Sequence, residues 1–221
     1  MGVRIAMMAG AAALSLAAAP AGAQGRSPEQ TAAAALRAAP VFDGHNDVPW
    51  ALRERYRNVI AGFDFTDSTT APRPEGEGAM HTDIPRLRKG QVGAQFWSVY
   101  VPATLTEPQA VVAVMEQIDV TKRLLARYPD VFTLVTTADG AAAAMKRGRI
   151  ASIMGMEGGN SIGESLAVLR QTYDLGVRYL TLTHNKTLSW ADAATEAPQK
   201  LPTSAIAAIG SAVRRSGRTR R

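Results

Sequence analysis

Apolar residues along this chain gather into short continuous runs, separated by stretches with a helical period. Residues 94–101 (AQFWSVYV) are β-branched and aromatic, and 150–156 (IASIMGM) are almost wholly apolar. Runs of this kind, without polar alternation, predict strands covered on both faces. Shorter runs open at Val41-Phe42 and span 131–135 and 177–183. Between them, residues 106–127 place Val111, Val114, Met115, Ile118 and Leu125 on one helical face with Tyr128 just beyond, and Thr106 and Gln109 stand at capping-box spacing. Residues 24–39 predict a short helix with Ser27 as N-cap and Glu29 in its first turn. A further helix is predicted over 138–147. Another opens at Ser161 with Glu164 completing a capping box, is lined by Leu166, Leu169 and Tyr173, and ends at Gly176 in the C′ position. Residues 61–83, rich in Gly, Pro, Thr and Asp, read as a loop. The helical crossovers are long enough for parallel pairing, and no internal repeat recurs at a fixed period. The fold class predicted is α/β.

Composition narrows the function classes. The 221 residues are 46% hydrophobic and 20% charged, an ordinary globular balance. There is no cysteine, which excludes a disulfide scaffold and thiolate metal sites. The three histidines are His45, His81 and His184, so a metal site must also use carboxylates. The net charge of +6 lies entirely in residues 200–221, which hold Lys200 and five arginines, no acid and no aromatic residue. Such a tail is a poor nucleic-acid recognition surface, and no nucleic-acid partner is expected. At the other end, Arg4, an Ala-rich apolar run over 5–19 and the small residues Ala21-Gly22-Ala23 predict a signal peptide over 1–23 with cleavage after Ala23. The run is too short to span a bilayer. The expectation is an exported protein, periplasmic or secreted, with no stable transmembrane segment after cleavage.

Three of the predicted strands end in residues that can bind metal or move protons: His45 and Asp47, Glu157, and His184. In a (β/α) barrel, chemistry sits at the carboxyl ends of strands. Residues i and i+2 of an extended backbone point the same way, so His45 and Asp47 can grip one ion. Imidazole with carboxylate suits zinc and its neighbours. The two glycines after Glu157 let backbone approach a ligand closely. Each residue also has a plainer reading. Asp47 can cap a turn, Glu157 can cap the next helix, and His184 can be a structural histidine. His81, in a loop beside Asp83, reads as surface, and Trp97 and Trp190 as core or rim.

The string Phe42-Asp43-Gly44-His45-Asn46-Asp47-Val48-Pro49-Trp50 resembles the metal-binding opening of the renal (membrane) dipeptidase family, a branch of the amidohydrolase-like barrels. Gly93-Ala94-Gln95-Phe96-Trp97-Ser98 resembles its second strand, and Glu157-Gly158-Gly159 its bridging-glutamate segment. Tyr179 to Asn185, followed by Trp190-Ala191-Asp192, resembles its fourth-strand segment. The resemblance runs from about residue 29 to about 195 and implies the N-terminal half of a (β/α)8 TIM-like barrel of the metal-dependent hydrolase type. It implies a zinc metallodipeptidase in which two zinc ions activate a water against a small dipeptide. It further implies that His45 and Asp47 hold the first zinc and that Glu157 bridges both. The resemblance also implies that His184 meets the substrate's developing oxyanion.

The sequence also departs from that family. The second zinc needs two further histidines on later strands, and the segment 200–221 has no His, Asp or Glu. About four of the eight barrel strands are expected over 24–199, followed by a basic tail unlike the family. The pattern implies a truncated or frameshifted chain with an incomplete second metal site. Such a chain would bind at most about one zinc and turn dipeptides over near background, as an inactive fragment of such an enzyme. Asn160 stands where the family often has histidine. A half barrel would keep open strand edges, which invite self-association.

Overall fold

A computed structural model describes residues 25–70 and 73–197; the expected signal segment and the tail 200–221 lie outside the described residues. Five strands form one sheet: β1 (Val41–Asn46), β2 (Val92–Tyr100), β3 (Phe132–Leu134), β4 (Ile150–Glu157) and β5 (Val177–Leu180). Every pairing is parallel. The order runs β1-β2-β4, and β4 divides its other edge between two partners. β3 pairs with its start, Phe132 opposite Ile150. β5 pairs with its end, Met156 opposite Leu180. As the continuous apolar runs predict, β2 and β4 are almost wholly buried.

Six α-helices accompany the strands: α1 (Pro28–Ala38), α2 (Val48–Tyr56), α3 (Ile84–Lys89), α4 (Glu107–Arg127), α5 (Ala138–Lys146) and α6 (Leu166–Asp174). The expected starts of α1 and α4 are the observed ones. The Ser27 hydroxyl accepts from the Gln30 N–H at 3.2 Å, and Gln30 Oε1 accepts from the Ser27 N–H at 3.0 Å. Gln109 Oε1 accepts from both the N–H and the hydroxyl of Thr106. Helix α4 buries Val114, Ile118 and Leu125, while Val111, Met115 and Tyr128 are half-buried. Ala110, Ala113, Leu124 and Gln117 widen that buried face.

Four details depart from the sequence reading. Ser161 does not start a helix. It lies buried in a 3-10 turn, Gly159–Ile162, and Glu164 adopts a positive φ of 52° and accepts from the Ser189 hydroxyl. The N-cap of α6 is Ser165, whose hydroxyl accepts from the Val168 N–H. β5 stops at Leu180 rather than running to residue 183, because its partner β4 ends at Glu157 and turns. Beyond it two backbone bonds hold the chain to that turn, Thr181 N–H to Met156 O and Gly159 N–H to Leu182 O. Helix α2 begins directly after the His45–Asp47 motif, with Pro49 in its first turn, and is unforeseen. So is α3, whose N-cap Asp83 accepts from the Arg86 N–H at 2.9 Å.

The largest core cluster joins α2, α4 and the 63–65 segment to the sheet. Trp97 of β2 is fully buried, with ring centroids 6.1 Å from Phe65 and 5.7 Å from Phe132. A second cluster packs Val99, Met154 and Met156 against Val114 and Ile118 of α4, with Trp190 closing its far side. Both tryptophans are therefore core, as the plainer reading has it. The second cluster anchors β2 and β4 just behind their carboxyl ends.

Candidate metal centre

His45 projects from the end of β1, Asp47 follows it by two residues, and Glu157 ends β4. His45 Nε2 lies 3.0 Å from Asp47 Oδ1 and 3.5 Å from Glu157 Oε2. One ligand atom from each residue falls within 4.8 Å of the other two. Two donors at about 2.0–2.2 Å from one ion sit roughly 3–4 Å apart, so small side-chain rotations would close the three on a single cation. A nitrogen and two carboxylate oxygens are a donor set that zinc accepts. The residues present thus fit a divalent metal ion.

Asp47 occupies the N-cap position of α2, but its side chain makes no capping bond. It faces His45 instead, which answers the turn-cap reading. Glu157 does not cap the following turn either. It is the least exposed of the three residues at 19% side-chain exposure, and Oε2 accepts from the buried Ser98 hydroxyl at 3.1 Å. Ser98 comes from near the carboxyl end of β2, one strand away. Sequence reasoning assigned it no role, although a hydroxyl inside the run 94–101 is a signal that something polar must meet it.

His184 stands four residues beyond the end of β5. Its Nε2 lies 3.7 Å from Glu157 Oε1, and its ring meets Tyr100 edge-on at 5.1 Å. It therefore sits beside the triad, outside the group of three ligand atoms. Glycine makes this approach possible. Gly158 has a φ of +93°, and a Cβ there would meet Asn160 Oδ1 at 2.5 Å; at Gly159 a Cβ would meet Leu182 O at 2.3 Å and the Trp190 ring at 2.5 Å. His81 is exposed in the loop before α3, as expected of a surface residue.

Two tyrosines complete the setting, neither singled out as a site residue by the sequence. Tyr100 ends β2 directly opposite Glu157, and Tyr179 comes from β5 with its hydroxyl 3.3 Å from His45 Nδ1. Burial, and then the negative charges of Glu157 and Asp47, push both phenols above their ordinary value, so both stay neutral around pH 7. A neutral phenol can donate or accept without adding charge to a site that already holds two carboxylates.

The family model for membrane dipeptidase, peptidase family M19, matches residues 29–216. Dipeptidase 3 from Rattus norvegicus is 42% identical over 167 residues, covering 76% of this chain and 32% of the rat protein. Dipeptidase 3 from Mus musculus is likewise 42% identical over 167 residues, covering 76% and 31%. The chain spans about a third of the length of these curated relatives. Among solved structures, a metallopeptidase from Rhodobacter sphaeroides liganded with a phosphinate mimic of the dipeptide L-Ala-D-Ala aligns with a TM-score of 0.63 at 21% identity, over 79% of this chain and 56% of that one. A dipeptidase of family M19 aligns with the same TM-score at 22% identity, over 79% and 54%. At these identities the likeness is one of fold: the parallel sheet and its helices correspond to part of a TIM-like barrel.

Proposed function

The chain belongs to the membrane dipeptidase family, peptidase family M19, and on that premise we propose that its site serves the metal-dependent hydrolysis of small dipeptides. The observation that carries this reading is the convergence of His45, Asp47 and Glu157 at the carboxyl ends of β1 and β4, where function sits in barrels of this kind. Zinc is the ion we propose, from the mixed imidazole and carboxylate donors. When bound, it supplies Lewis acidity toward water and toward a carbonyl oxygen.

The chain's own residues would then divide the work. His45 and Asp47 fix the ion from one strand end, and Glu157 faces it from two strands away in the sheet. The Ser98 hydroxyl holds one Glu157 oxygen in place. His184, with Nε2 near the other oxygen of Glu157, is placed to donate to the oxygen that gains charge as a peptide carbonyl is attacked; a preorganised donor of this kind is worth about 2.7–4 kcal/mol of barrier. The test is dipeptide hydrolysis with and without added zinc. Zinc-dependent hydrolysis should vanish in His45→Ala. Hydrolysis that survives that substitution would mean the chemistry lies elsewhere.

We also propose export, from the N-terminal run described above. No helix among the described residues is long and apolar enough to cross a membrane. Recovered exported protein should begin at Gln24; an intact Met1 chain outside the cytoplasm would refute the cleavage.

A further inference from the structure

The path of Tyr179 across the sheet has a consequence for His45. Tyr179 stands opposite Gly155 in the β4–β5 register. Its ring lies directly over that glycine: a Cβ at position 155 would come 2.0 Å from Tyr179 Cζ and 2.1 Å from Cε1. The same ring packs on Phe96 of β2 at 5.1 Å between centroids. Its hydroxyl then reaches His45 Nδ1 on β1 at 3.3 Å. The side chain thus crosses from β5, over β4 and β2, to the strand at the opposite side of the sheet. Glycine in a strand interior marks such a close approach; any larger residue at 155 would block the ring.

A histidine ring offers two nitrogens to a metal, and the partner of one decides the use of the other. Here Nε2 faces Asp47 and Glu157, while Nδ1 faces the Tyr179 oxygen. We propose that Tyr179 is a positioning residue for the metal centre, accepting the Nδ1 proton of His45 and so fixing Nε2 as the ligating nitrogen and the ring in its ligating orientation. Gly155 is the residue that makes room for it. The inference rests on the reading of His45 as a ligand.

Partners in this role typically contribute about 10–100-fold to metal affinity. The test is equilibrium competition for zinc between the full chain and a chromophoric chelator. Tyr179→Phe keeps the ring and its packing on Phe96 and removes only the oxygen. It should leave the thermal unfolding midpoint of the metal-free protein nearly unchanged and weaken zinc binding by about 10–100-fold. Gly155→Ala, which displaces the ring, should reproduce that loss. Nitrogen-15 NMR of the zinc-loaded parent protein gives a readout that needs no variant: His45 should carry its proton on Nδ1 and the ion on Nε2. Zinc affinity in Tyr179→Phe equal to the parent, with His45→Ala abolishing binding, would overturn the role of Tyr179 and leave the site intact. Zinc on Nδ1 would overturn it as well. Binding undiminished in His45→Ala would overturn the site reading and this inference together.

Discussion

Asp83 shows how one side chain sets a local stability. It is 3% exposed and caps α3, accepting from the Arg86 N–H, the Arg86 guanidinium and the Ser68 hydroxyl. Burial alone would raise its carboxyl; these partners outweigh that cost and hold it below the ordinary value. A carboxyl depressed on folding contributes stability that is complete above its unfolded value of about 3.9 and fades as pH falls through the lower folded value. Asp83→Asn should therefore lower stability at pH 7 and flatten the loss below about pH 4, measured by urea unfolding across pH. A variant whose acid limb matches the parent would contradict this account. Legibility at this scale was uneven. His45, Asp47 and Glu157 could be singled out because each stands at the carboxyl end of a predicted strand. Tyr179 and Ser98 could not, since a Tyr or Ser inside a strand reads as packing until a partner strand is known. Gly155, an isolated glycine inside 150–156, was the available signal.

At the level of elements, the start of α6 separates two serines that look alike in sequence. Ser161 with Glu164 has the spacing of a capping box, yet Ser161 Oγ is buried with no hydrogen-bond partner among the described residues, and Ser165 makes the cap. Ser165→Ala should cost about 0.5–2 kcal/mol. Ser161→Ala removes an unsatisfied buried hydroxyl and should be neutral or mildly stabilising. Chemical denaturation of both variants checks this, and a larger loss at 161 than at 165 would restore the sequence reading. The reason for the misreading is tertiary. Gly158 and Gly159 must pass close to His184, Leu182 and Trp190, so the chain takes a 3-10 turn before it can enter a helix. Strands β2 and β4 were legible because burial on both faces leaves a continuous apolar run. Helix α2 was hidden because its first residues, Val48-Pro49-Trp50, complete the metal motif and mask the helix that follows.

For the whole molecule, the parallel order β1-β2-β4-β5 brings residues from positions 45 to 184 to one end of the sheet. Sequence spacing alone could only anticipate that convergence. β1 pairs with β2 alone among the described strands and exposes Val41 and Phe42, the latter at 53%. The central claim, however, concerns the triad. Bound zinc per chain, measured after equilibration with zinc and removal of the free ion, tests it most directly. The account predicts about one zinc in the parent, about one in His81→Ala, whose exposed imidazole is not one of the three converging groups, and close to none in Glu157→Gln. Equal zinc content in the parent and Glu157→Gln, or equal loss in both variants, would contradict it.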